Sequence, residues 1–85
     1  MADELPALTG SQLIRLLTLD GWEEQRRSRH GVALGKAIGG RRRVAVVPTK
    51  TGSMHPNTLA RLLGPKQTGV GRAGLVRLIE RHGLR

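Results

Sequence analysis

The chain has no cysteine, no phenylalanine and no tyrosine, and a single tryptophan, Trp22, in 85 residues. Without cysteine there are no disulfides and no thiolate metal sites, and the redox compartment is unconstrained. With one aromatic residue, the stacking platforms by which RRM-type and OB-type domains hold bases are disfavoured. No segment approaches the roughly 20 apolar residues of a membrane span. The opening MADELPALTG is acidic, where a secretory leader would be basic and then apolar. The expectation is a cytoplasmic protein with no membrane attachment.

Acidic residues are missing from a long interior stretch. None occurs between Glu24 and Glu80, while 12 Lys and Arg do, and the formal net charge is +9. A solvated surface ordinarily mixes signs, so a one-signed run of this length repels itself and is complemented by a polyanion. Nucleic acid is the first partner to expect, and an unusually basic solvated surface is the plainer alternative. What is present argues for folding: Leu, Ile and Val gather in periodic segments rather than in a disordered tail. Residues 1–85 suit one small domain with a tail at 1–8, a size that buries about 60% of the unfolded surface.

Thr9 and Gln12 make a T-x-x-Q capping box. Leu13, Ile14, Leu16 and Leu17 follow at helical spacing, and Gly21 stands at a left-handed cap, so a helix is expected from about Gly10 to Asp20. Trp22 should pack back on it. From Glu23 to Pro48 the period becomes alternating: Val32, Leu34 and Ile38, then Val44, Val46 and Val47, with Gly39-Gly40 as a hairpin signal. A three-stranded antiparallel meander follows, its first strand the weakest, with the N-terminal helix covering one face. Pro56 opens a second helix carrying Leu59, Leu62 and Leu63, stopped by Gly64-Pro65. A third spans 71–83, with Ala73, Leu75, Val76, Leu78 and Ile79 expected inward, Arg72, Arg77 and Arg81 outward, and Gly83 as cap.

Several motif matches carry no chemistry. Gly69 to Gly74 fits G-x-G-x-x-G but follows no strand and precedes no acidic ribose ligand, and Gly64 to Gly69 lacks the Lys and Ser or Thr of a phosphate loop. His30, His55 and His82 are scattered, with no thiol and, apart from Glu80 beside His82, no carboxylate close by in sequence, so no metal or cofactor is expected. The glycines of TGVGRAGL at 68–75 resemble a helix-hairpin-helix turn that grips phosphate through backbone amides, or they simply end one helix and begin the next.

His30 is the candidate for acid–base work. Its neighbours Arg26, Arg27 and Arg29 can hold a phosphate and stabilise charge developing on it. On RNA a neutral histidine can take the proton of a 2′-hydroxyl, which then attacks the adjacent phosphodiester without a metal. Strand parity opposes this, since a straight strand through residue 30 puts His30 on the buried face with Val32 and Leu34. A bulge at Gly31 would re-aim it.

The segment TGSQLIRLLTLDGW at 9–22 resembles the opening of HicA-type toxins, the mRNA interferases of toxin–antitoxin pairs. In that family an Arg-rich segment leads to a Gly-Ser-His motif, a Val-Pro ends the third strand and a helix opens Gly-Thr-Leu. The corresponding residues are Arg26 with Ser28-Arg29-His30, Val47-Pro48, and NTLARLL at 57–63. The motif's glycine is absent, and Arg29 separates Ser28 from His30. The resemblance covers about 9–63 and implies a double-stranded-RNA-binding-like α-β-β-β-α sandwich, an α+β fold, to which 65–85 would add a C-terminal helical extension. It further implies metal-independent cleavage of mRNA with His30 as base, a 2′,3′-cyclic phosphate product, and neutralisation by a HicB-type antitoxin. The expected RNA contacts are Arg26, Arg27, Ser28 and Arg29 near the histidine, and Lys36, Arg41, Arg42, Arg43 and Lys50 beyond it. A non-catalytic nucleic-acid module, using the basic sheet or the glycine turn, is the other reading.

Overall fold

The computed structural model describes residues 7–49 and 52–84. In them the chain runs α1 (Gly10–Leu19), β1 (Glu23–Ser28), β2 (Gly31–Ile38), β3 (Arg41–Val47), α2 (Pro56–Leu63) and α3 (Gly71–His82). It is an α+β arrangement of one three-stranded antiparallel sheet, ordered β1-β2-β3, flanked by helices.

Both ends of α1 are set by local chemistry. The Thr9 hydroxyl accepts from the Gln12 amide at 3.1 Å and the Gln12 side chain accepts from the Thr9 amide at 2.9 Å, closing the capping box. At the other end Gly21 takes φ 101°, the Gly21 amide donates to the Thr18 carbonyl and the Trp22 amide donates to that of Leu17. This paired closure lets the chain reverse and drops Trp22 into the interior, where it is 1% exposed.

The sheet turns at Gly39 and Gly40, whose φ of 60° and 79° suit the type I′ geometry that matches strand twist. Register then sorts the side chains. Val32 faces Val47 and Leu34 faces Ala45 on the helix side, where all four are buried. Ala33 faces Val46 and Gly35 faces Val44 on the other side, leaving Val44 and Val46 49% and 54% exposed. The valine run is thus divided by strand parity rather than buried whole. Ile38, expected inward, lies 40% exposed at the end of β2. β1 is exposed along its whole length and bulges at Gln25.

One core joins the layers. Leu13, Leu16 and Leu17 of α1 and Leu59, Leu62 and Leu63 of α2 pack with the inward strand residues, each buried leucine stabilising by about 1.5–3 kcal/mol. α1 and α2 lie against β3, and α3 packs on α1 and α2. Leu75 and Leu78 bring α3 into the same core, so the C-terminal helix is part of the fold. Its buried stripe is narrower than the sequence pattern suggests. Leu75, Leu78 and the partly buried Ile79 follow 3–4 spacing, whereas Ala73 and Val76 fall off that stripe and are exposed.

Candidate nucleic-acid interface

Ser28 pairs with Gly31, so Arg29 and His30 form the two-residue turn between β1 and β2. Such turns usually rely on residues with positive φ, but among the described residues only glycines have one. Ser28 supplies the closure instead: its hydroxyl accepts from the His30 amide at 3.3 Å and reaches the Gly31 carbonyl at 3.4 Å. His30 is therefore an exposed turn residue, and the parity expectation of a core histidine is overturned. Its ring makes no hydrogen bond among the described residues. No bulge forms at Gly31. That glycine is needed for close approach, since a Cβ there would sit 2.6 Å from the Val47 carbonyl oxygen.

The cations divide into those facing solvent and those engaged with the protein. Arg26 pairs opposite Ala33 and so shares the outer sheet face, next to the turn. Arg27, on the opposite face, meets Glu24 at 2.9 Å with both side chains exposed, a surface pair that contributes little and is screened by salt. Arg41 and Arg42 are exposed beside the β2–β3 hairpin, separated from the His30 turn by the length of β2, about 23 Å for seven steps. Lys50 lies outside the described residues.

Three other cations cap carbonyl groups. Lys36, expected at the RNA, donates to the Asp20 carbonyl at 2.7 Å and sits 3.4 Å from the Asp20 carboxylate, at the C-terminal end of α1. Arg43, also expected there, donates to the carbonyls of Pro65 and Gln67. Arg15 donates to the carbonyls of His82 and Gly83 at 3.1 and 3.0 Å, closing the end of α3. Helix C-termini leave carbonyls unpaired and carry partial negative charge, so long cationic side chains are suited to them. No local pattern around Arg15 signals this, because its acceptors arrive from the far end of the chain.

Of the remaining histidines, His55 has a structural role. His55 caps α2, its Nδ1 accepting from the Asn57 amide at 3.1 Å, and His82 lies in the last turn of α3. The three share no site, and among the described residues no group of three or more His, Asp or Glu could hold a metal. The glycine turn is likewise committed. The Gly69 amide donates to the Gly64 carbonyl at 2.8 Å, and the Val70 amide to Thr68 Oγ1 at 3.2 Å. Buried Thr68 in turn donates to the Leu62 carbonyl at 2.7 Å. Two amides a phosphate-gripping hairpin would offer are thus spent on ending α2 and starting α3. Among the described residues no helix is long and apolar enough to cross a membrane.

The exposed His30 beside Arg29, with Arg26 on the neighbouring strand, is the constellation that can act on a phosphate. No protein-family model matches the chain, and no curated protein or solved structure matches it either.

Proposed function

We propose that the chain is a HicA-like endoribonuclease acting on single-stranded RNA, built on a double-stranded-RNA-binding-like frame. The observation that carries the reading is the position of His30, at an exposed turn with its ring unengaged among the described residues, Arg29 before it in the turn and Arg26 on β1 leading into it. A general base must reach its proton and keep an acceptor nitrogen available, and a core histidine would do neither.

The reaction needs only these groups. The imidazole of His30 takes the proton of a 2′-hydroxyl, the 2′-oxygen attacks the adjacent phosphorus, and the bond to the 5′-oxygen breaks, that oxygen taking a proton from solvent. The products are a 2′,3′-cyclic phosphate and a 5′-hydroxyl. Arg29 and Arg26 stabilise the charge that gathers on the phosphate oxygens. Ser28 holds the turn rather than the substrate. Arg41 and Arg42 supply further phosphate contacts, while Lys36 and Arg43 serve the fold. An acidic antitoxin of the HicB type in the cytoplasm fits the same charge pattern.

One observation favours a non-catalytic RNA binder: no carboxylate or other group among the described residues orients the His30 ring, as a second residue often does in acid–base sites. Cleavage of a single-stranded RNA in the presence of EDTA separates the two. Wild type should cut, and His30→Ala should be slower by at least about 100-fold. Equal cutting by both would remove His30 from the chemistry, and binding without cutting by either would leave the binder.

A further inference from the structure

A cleft of about 270 Å³ opens between the C-terminal end of α1 and α3, lined by Asp20, Val70, Gly74, Arg77, Leu78 and Arg81. Its apolar part is a stripe of Val70, Gly74 and Leu78, four residues apart along the helix. Gly74 leaves room for the valine, since a Cβ there would sit 2.6 Å from Val70 Cγ1. The charged groups come from different elements. Arg77 and Arg81 stand one turn apart on α3, both exposed, and among the described residues neither has a hydrogen bond or an ion pair. Asp20 ends α1. Lys36 is held mainly by the Asp20 carbonyl, at 2.7 Å, and its 3.4 Å approach to Oδ2 leaves Oδ1 without a donor among the described residues.

We propose that this cleft seats a guanosine of single-stranded RNA, its phosphate between Arg77 and Arg81, its base on Val70 and Leu78, and its Watson–Crick edge on Asp20. The lining calls for an anion and for hydrogen-bond donors in one ligand. Inorganic phosphate meets the arginines and is repelled by Asp20, while a metal cation meets Asp20 and is repelled by the arginines. A nucleotide joins a phosphate to a flat base that carries donors. Guanine presents two adjacent donor groups on its Watson–Crick edge, N1–H and the 2-amino group, where adenine, cytosine and uracil present one each, and a carboxylate has two oxygens to receive them. That edge is free only in unpaired RNA. An arginine can stack on the base, a contact that buried Trp22 cannot supply. The volume suits one base rather than a larger cofactor. Lys36, beside the cleft, lies six residues from His30 along β2, about 20 Å, so only a strand that spans the sheet reaches both. A preference in cleavage for such strands rests on the RNase reading; nucleotide binding in the cleft does not.

The test is an amide NMR titration of the full chain with guanosine, inosine, adenosine, cytidine and uridine 5′-monophosphates, and with leucine as a zwitterion that offers both charges without a base. The guanosine nucleotide should shift residues 20, 70, 74, 77, 78 and 81. It should bind at least about tenfold more tightly than the inosine nucleotide, which lacks only the 2-amino group, and than the other three, because each lost hydrogen bond to a charged group costs about that factor. Asp20→Asn should bring the guanosine and inosine nucleotides within about twofold of each other. Arg77→Gln with Arg81→Gln, at exposed positions, should weaken the guanosine nucleotide at least about tenfold and leave the nucleoside guanosine within about twofold. The inosine comparison alters the ligand alone, so it decides the matter even where Asp20→Asn fails to fold. The proposal is overturned by equal binding of the five nucleotides, by leucine binding as tightly, by shifts centred on residues 26–30 or 41–42, or by no shift at millimolar nucleotide. His30→Ala should keep nucleotide affinity within about twofold, so an inactive nuclease and an absent guanosine site remain distinguishable.

Discussion

His30 and His55 carry the same ring and do different work because of where the backbone puts them. The His55 ring is tied to the first turn of α2, so His55→Ala should lower stability by about 1 kcal/mol, whereas His55→Asn, another good cap, should keep most of it. A shift in the urea midpoint at unchanged slope checks this. If both substitutions are neutral, the cap is not contributing. At this scale the sequence was readable wherever the cause is local: the Thr9–Gln12 box, Gly21 and the Gly39-Gly40 turn are as expected. The placement of His30 was not. The segment from Arg26 to Gly31 has no Gly, Asn or Pro at its central turn positions, and the turn depends on a Ser28 hydroxyl that reads as an ordinary polar strand residue.

Among the elements, α3 changes the reading most. It was legible as a helix with Leu75 and Leu78 inward, but the width of its buried stripe was not, because whether Ala73 and Val76 are covered depends on where α1 and α2 leave space. Leu75→Ala should cost about 2–5 kcal/mol, and 1 kcal/mol corresponds to roughly 4–8 °C in Tm for a domain of this size. A loss under 0.5 kcal/mol would make α3 an appendage. Arg42 and Arg43 provide a second contrast between adjacent residues on opposite faces of β3. Arg43 holds the connection between α2 and α3, so Arg43→Ala should cost about 1–3 kcal/mol of stability and leave the salt dependence of RNA binding unchanged. Arg42→Ala should do the reverse, lowering stability little while reducing the salt slope by about one contact. Thermal unfolding and RNA titration at several salt concentrations measure both, and interchanged results would contradict the division of labour.

For the molecule as a whole, the acid-free stretch indicates less uniform polyanion binding than its composition implies. Lys36 and Arg43 face the protein's own carbonyls and Arg27 faces Glu24. Arg26, Arg29, Arg41 and Arg42 remain for a ligand near the sheet, divided between its two ends. Charge and element order were legible from composition and periodicity; which cations are engaged was not, since their acceptors are backbone groups supplied by tertiary packing. RNA affinity should fall steeply with salt, and weak dependence would mean that few phosphates are touched.

The chemistry assigned to His30 is tested most directly with an RNA carrying a single 2′-deoxy nucleotide immediately 5′ to the scissile phosphate. Wild-type protein should cut the all-ribose strand to a 2′,3′-cyclic phosphate and leave the deoxy-substituted linkage intact, while His30→Ala cuts neither. Cleavage at the deoxy position, or a 3′-hydroxyl product from the all-ribose strand, would contradict attack by the 2′-oxygen and with it the role of His30 as the base.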